Sequence, residues 1–300
     1  MTQFLHKLFG RSPKSALQEI PTIPTPKVDS EKEPASELPP PKELPQFVVG
    51  FSQSVGKQRE HNEDSLFTLT TNLASDRTFI PFGLYIVADG MGGHKHGEIA
   101  SGLAVRSISS HVIRKVFHSL LSIKPAPPDE SIQEIIQESV QEAHRAIAKY
   151  APGGGTTLTA TLILDDQMTI FHVGDSRAYT IAPDGKIQAL TRDHSLVMRM
   201  IELGQLTTEE AAIHPQRNVL YRALGQGDPI TPDTFTLPVP KSSQLLLCSD
   251  GLWGVVPESE ISSLIASAPN PQAACQKLVE AANDAGGPDN ITAILVRLPD

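Results

Sequence analysis

Residues 156–185 read TTLTATLILDDQMTIFHVGDSRAYTIAPDG, and the order of apolar runs and breaks in this stretch decides the fold. Three β-branched and aliphatic runs, 156–164, 168–174 and 177–182, follow one another closely. Gln167 stands between the first two, and Pro183-Asp184-Gly185 is a turn signal after the third. Working outward, 47–53, 65–70, 79–88, 244–249 and 291–297 carry the same texture and read as further strands. Two amphipathic patterns interrupt them. One runs from about Glu98 to Ser119, with Ile99, Leu103, Val105, Ile108, Val112, Val116 and Phe117 on or near one face. The other runs from about Glu130 to Lys149, with Ile132, Ile135, Ile136, Val140, Ala143 and Ile147. A last helical pair covers about 257–267 and 271–284, each beginning near a proline. The strands cluster as hairpins and do not alternate strictly with helices, which favours antiparallel sheets with helices packed outside: an α+β fold.

Residues 11–46 are rich in Pro, Glu, Lys and Ser. Such a stretch buries too little apolar surface to offset its ordering entropy, so 1–46 is expected to be a disordered Pro-rich tail and 47–300 one domain. The 34 acidic against 25 basic residues leave a formal charge of −9, which disfavours a nucleic-acid partner. No apolar stretch approaches the roughly 20 residues a membrane span needs. Cys248 and Cys275 make neither a disulfide framework nor a zinc cage, which fits a cytoplasmic protein. Cys248, inside an apolar run, reads as buried.

Three times an apolar strand runs into an acid beside glycine or serine. Leu84–Ala88 ends in Asp89-Gly90, Ile170–Val173 in Gly174-Asp175-Ser176, and Leu245–Cys248 in Ser249-Asp250-Gly251. Asp289 precedes the last strand, and Glu63-Asp64 precedes the strand at Ser65. Carboxylates at strand ends are held by rigid scaffold. Gathered together they repel unless cations neutralise them, and all-oxygen ligation suits Mg²⁺ or Mn²⁺. Each Asp-Gly taken alone reads as an ordinary turn.

The words around these acids resemble the motifs of the metal-dependent type 2C protein phosphatases (PPM), bacterial Ser/Thr branch. In the family's order they are Arg59-Glu60-His61-Asn62-Glu63-Asp64-Ser65, Ala88-Asp89-Gly90-Met91-Gly92-Gly93-His94 with Gly97-Glu98, Gly155-Thr156-Thr157, His172-Val173-Gly174-Asp175-Ser176-Arg177, Cys248-Ser249-Asp250-Gly251-Leu252 and Asp289-Asn290-Ile291-Thr292. The resemblance spans about 47–298 and implies a four-layer αββα sandwich, with a flap insertion at about 191–222. It implies two Mn²⁺ or Mg²⁺ ions and a third, weaker one. Asp89 matches the carboxylate that bridges two metals, and Asp250 and Asp289 match further ligands of one. Glu63 and the Gly90 carbonyl match ligands of the other, and Asp175 with Asp250 matches the third site. Asp64 matches an acid acting near the metals, and Arg59 the residue that binds substrate phosphate. The implied reaction is hydrolysis of phosphoserine and phosphothreonine in proteins by a metal-activated water, without a covalent phosphoenzyme. The implied setting is a cytoplasmic monomer opposing a Hanks-type Ser/Thr kinase or acting on its targets. Where many eukaryotic relatives carry histidine after the Asp-Gly pair, this chain has Met91, which leaves leaving-group protonation open.

Other readings are weaker. No Gly-Lys-Ser/Thr follows the glycines at 90, 92 and 93, so a nucleotide loop fails. Ser176 and Ser249 lack a Gly-x-Ser-x-Gly elbow. A non-catalytic relative is expected to have lost an acid of the set Asp89, Asp250 and Asp289, and all three are present.

Overall fold

The computed structural model describes residues 46–75, 78–92, 95–122, 129–227 and 229–299. The tail expected over 1–46, apart from Gln46, lies outside the described residues, as do Gly93 and His94 of the second motif.

Twelve strands are described: β1 (Val48–Ser54), β2 (Ser65–Ser75), β3 (Thr78–Ala88), β4 (Gly90–Met91), β5 (Gly155–Thr156), β6 (Leu158–Leu164), β7 (Gln167–Val173), β8 (Arg177–Ile181), β9 (Ile187–Ala189), β10 (Asp233–Pro238), β11 (Gln244–Cys248) and β12 (Ile291–Arg297). The helices are α1 (Lys95–Val112), α2 (Ile132–Tyr150), α3 (Leu196–Glu202), α4 (Thr208–Ala212), α5 (Asp250–Trp253), α6 (Glu258–Ala266) and α7 (Pro271–Asp284). One five-stranded sheet has the order β1-β12-β11-β8-β9, the other β10-β7-β6-β3-β2, and a small pair joins β4 to β5. Every pairing in them is antiparallel.

The sheets face each other across Tyr85, Val87, Ile170, Leu245, Leu247 and Ile294. On one outer face Leu84 and Ile86 meet Ile108, Ile135 and Val140 of α1 and α2. On the other, Leu246 and Leu295 meet Ile261 and Leu278 of α6 and α7. This is the expected four-layer αββα arrangement. It also explains why β3, β11 and β12 read as unbroken apolar runs: both faces of each strand are covered.

The helices start where local chemistry allows. Ser131 caps α2 with a reciprocal box: Glu134 N–H donates to Ser131 Oγ at 3.3 Å, and Ser131 N–H donates to the Glu134 carboxylate at 2.7 Å. Asn270 caps α7, whose first residue is Pro271. The helix expected to end near Ser119 is α-helical to Val112, then widens into a π turn over Ile113–Phe117 and closes at His118–Leu120. Val112, Val116 and Leu120 all remain buried.

Three expectations are corrected. Gln167, placed between two runs, belongs to the second: it opens β7 opposite Leu164, and Asp165-Asp166 make the turn, Asp165 with φ 58°. The expected strand 156–164 breaks at Thr157, leaving β5 to pair with β4. Strands β9 and β10 went unread, because each is a sheet edge with polar or exposed positions that dilute the apolar signal.

Strand β1 is an edge held by α7. Gln272 closes it like a short extra strand: Phe51 N–H donates to Gln272 Oε1 at 3.2 Å, and Gln272 Nε2 donates to Phe51 O at 2.9 Å. A side chain at Gly50 would collide with the Gln272 backbone. Gly50→Ala should therefore cost about 1–3 kcal/mol in urea unfolding; an unchanged midpoint would show that α7 yields freely.

Candidate functional site

The acids singled out from the sequence converge at one end of the sandwich. Asp89 leaves β3, Asp175 sits in the β7–β8 turn, Asp250 opens α5 after β11, and Asp289 lies just before β12. With Arg59, Glu63 and Gly90 they line a cleft of about 530 Å³, which His61, Met91, Thr157 and Asn218 also line. Asp64 lies beneath it, 7% exposed.

Asp89, Asp64 and Glu63 are set by backbone clasps or hydroxyls. Thr157 N–H and Thr156 Oγ1 donate to Asp89 O, both at 2.9 Å, and Asp89 N–H donates to Thr157 Oγ1 at 2.9 Å. Asp64 Oδ2 accepts from Ser249 Oγ at 2.8 Å and Thr292 Oγ1 at 2.6 Å. Gly90 N–H donates to Glu63 O at 3.2 Å, and a Cβ at Gly90 would strike the Gly97 carbonyl. Only glycine lets that backbone turn lie so close to α1.

Asn290 ties the loops together. Its Nδ2 donates to Val55 O and His61 O, each at 2.8 Å, and its Oδ1 accepts from Glu63 N–H at 2.8 Å. Its own N–H donates to Asp289 Oδ1 at 2.8 Å. One side chain therefore holds the loop carrying Arg59 and Glu63 against the loop carrying Asp289. Thr156, Thr157, Ser249, Asn290 and Thr292 were all inside quoted motifs, but nothing local in the sequence shows which acid each one serves.

The electrostatics are those of a site short of positive charge. Burial, then repulsion from Asp250, Asp289 and their neighbours, pushes Asp64 up to about 7 against the tempering of Thr292 and Ser249. Burial and Asp289 push Asp250 up to about 6. Asp89 and Asp175 are raised well above the usual carboxylate range, by burial first and neighbouring acids second. Oδ1 of Asp64 and Oδ1 of Asp250 are buried with no hydrogen-bond partner. Such oxygens carry a heavy cost unless something satisfies them.

These features fit divalent cations. The donors are all oxygens, as hard cations require. Among the described residues no group of three His, Cys, Asp or Glu side chains forms a ready shell for one ion.

Arg59 NH2 donates to Asp289 Oδ2 at 2.7 Å, with side chains 52% and 29% exposed. Arg59 thus pairs with an acid of the site. His96 Nδ1 lies 2.9 Å from Pro152 O, outside the cleft lining. Ser249 is occupied with Asp64, and Ser176 Oγ with Thr157 Oγ1 at 2.7 Å, which agrees with setting both aside as nucleophiles.

The region 191–222 holds α3 and α4 and is anchored at its start. Arg177 donates from Nε and NH2 to the two Asp193 oxygens at 2.9 and 2.8 Å. His194 N–H donates to Gly174 O at 2.7 Å, while Gly174 N–H donates to His194 Nδ1 at 3.1 Å. The sequence reading assigned Arg177 no part; its charge next to a turn acid was the available signal.

Comparison with known proteins agrees with this geometry. A family model described as Protein phosphatase 2C matches residues 57–293. The chain is 38% identical over 252 residues to "Serine/threonine phosphatase stp" of Listeria innocua, covering 82% of this chain and 94% of that one. It is 37% identical over 260 residues to "Protein phosphatase PhpP" of Streptococcus pneumoniae, covering 83% and 97%. The solved serine/threonine phosphatase PstP/Ppp of Mycobacterium tuberculosis superposes with a TM-score of 0.69 at 31% identity, over 86% of this chain and 100% of that one. A PstP catalytic domain solved in complex with 2 manganese ions superposes at 0.67 with 28% identity, again over 86% and 100%.

Proposed function

The chain belongs to the protein phosphatase 2C family, and on that premise we propose that it hydrolyses phosphoserine and phosphothreonine in proteins by direct attack of water, without a covalent phosphoenzyme. It is a metal-dependent Ser/Thr protein phosphatase. The observation that carries the finer reading is the set of buried and half-buried acids, two of them with an orphaned buried oxygen, at a cleft that Arg59 borders.

In this reading Asp89 would bridge two Mn²⁺ or Mg²⁺ ions. Asp250 and Asp289 would complete one, Glu63 and the Gly90 carbonyl the other, and Asp175 with Asp250 a third, weaker one. When bound, the cations supply an acidified water and neutralise charge on the phosphoryl oxygens. The chain's own residues do the rest. Thr156 and Thr157 aim Asp89. Ser249 and Thr292 orient Asp64 under the acids and fix which of its oxygens faces them. Arg59, whose guanidinium gives Asp289 a single short contact, has a planar fork that suits phosphate oxygens. Substrate phosphate arriving at the cleft would compete with Asp289 for it.

The expected result is phosphate release from a phosphothreonine peptide that stops on chelation and returns with Mn²⁺ or Mg²⁺, with no phosphorylated protein after rapid acid quench. Activity indifferent to chelation, or a trapped phosphoprotein, would sink the mechanism. The reading extends to a cytoplasmic monomer acting on phosphoproteins made by a Hanks-type kinase. No described helix is long and apolar enough to cross a membrane.

We also take 47–300 as the catalytic unit. Deleting 1–46 should leave p-nitrophenyl phosphate hydrolysis unchanged; a large loss would show that the tail supports the site.

A further inference from the structure

Beside the cleft lies a second pocket of about 390 Å³, between the flap helices and α5. Val197, Met198 and Ile201 of α3, Ala211 and Ala212 of α4, and Trp253 make its apolar wall. It shares Asp175, Asn218 and Asp250 with the cleft, so the two are continuous. A polypeptide with its phosphate in the cleft passes the pocket mouth within a few residues.

On the pocket floor the charges of Arg177 and Asp193 are spent on each other. Arg177 gives two donors to Asp193, gives NH1 to Tyr179 Oη at 3.0 Å, and stacks 3.5 Å from the Trp253 ring centre. Both Asp193 oxygens are taken by that same guanidinium. Trp253 is fixed in turn, its Nε1 donating to Asp175 O at 3.0 Å. That part of the floor therefore offers no ionic partner to a guest, one wall is rigid and tied to the cleft, and the remaining acids, Asp175 and Asp250, stand at the edge shared with the cleft, where the proposed cations would take up their charge. Arg217, exposed at the rim, adds a positive charge that disfavours a lysine or arginine occupant. The wall itself, from Val197 and Met198 to Ala212 and Trp253, is apolar surface, which favours an apolar guest.

We infer that this pocket receives an apolar side chain that flanks the phosphorylated residue of the protein substrate. The inference rests on the phosphatase reading and adds a sequence preference to it.

The test uses the full chain with Mn²⁺ and a set of phosphothreonine peptides. A single Leu, Phe, Lys or Gly is moved through three positions on each side of the phosphoresidue. The expected result is one position at which Leu or Phe exceeds Gly and Lys in kcat/KM by about tenfold. Ala212→Phe, which fills the pocket, and Met198→Ser, which makes its wall polar, should each erase that preference while p-nitrophenyl phosphate turnover stays at the wild-type level. If Ala212→Phe also loses the small substrate, Met198→Ser decides on the same comparison. Equal kcat/KM for all four residues at every position, a preference for Lys, or a preference that survives the deciding variant overturns the pocket assignment. A wild-type protein inactive on p-nitrophenyl phosphate under either metal would overturn the phosphatase reading itself, and the inference with it.

Discussion

Asp250→Ala is expected to lower phosphate release about 10³-fold at saturating Mn²⁺, without loss of the fold. Asp250 opens α5 at the end of β11, with one buried oxygen unpartnered, and lines the same cleft as Asp89 and Asp289. A residue so placed would share its charge among the cations. Losing it removes several kcal/mol of charge stabilisation from the transition state, which converts to roughly that factor in rate. The fold should survive because burial and Asp289 already disfavour this carboxylate's charged form. Urea unfolding of the chelated variant should have a midpoint equal to or above that of the chelated wild type at pH 8. The idea fails if the folded variant keeps a tenth or more of the activity, or if the loss comes with unfolding.

The metal-free protein should become less stable as pH rises from 6.5 to 8, and added Mn²⁺ or Mg²⁺ should reverse the trend. Asp64 is raised to about 7, and Asp89 and Asp175 well above the usual range, with burial the leading cause in each. A carboxyl raised in the folded state binds its proton more tightly there than in the unfolded chain. Its penalty is absent at pH values below the unfolded value near 4, and it grows until the pH passes the folded value. His172 acts in the opposite sense: burial pushes it from 6.5 down to about 3, so it costs stability only as pH falls below 6.5. The window from 6.5 to 8 therefore isolates the acids. Cations take the place of the protons and add binding free energy to the folded state, so the metal-loaded protein should melt higher at pH 8 than at 6.5. Thermal melts with and without chelator measure both slopes. A chelated protein that gains stability toward pH 8 would contradict the crowding of uncompensated acids.

Much of this architecture is written in local pattern. An unbroken apolar run such as Leu84–Ala88 reports a strand covered on both faces, and an acid beside glycine at its end reports a turn at the rim of the sheet. Prolines 257 and 271 mark two helix starts to within a residue. The acids of the site were legible for the same reason, since each follows or precedes a strand within a few residues. Edge strands β9 and β10 were not, because one exposed face carries no apolar signal. Gln167 was misplaced because a polar residue in a hairpin reads alike in the turn and in the first strand position.

What the sequence by itself determined is the list of parts: two helical pairs, clustered hairpins, and five acidic words in a fixed order. Only the tertiary structure decided who meets whom. Ser249 and Thr292 orient Asp64 across 185 and 228 residues of chain, and Asn290 reaches Glu63 across 227. Arg177 spends its charge on Asp193 and its face on Trp253, so two charges of the sequence are closed off on the floor of the second pocket. Periodicity and turn chemistry are properties of a few consecutive residues, whereas these contacts exist only once the β11–β12 and β6–β7 registers are set. A one-residue slip in either would send every side chain of that strand to the other face.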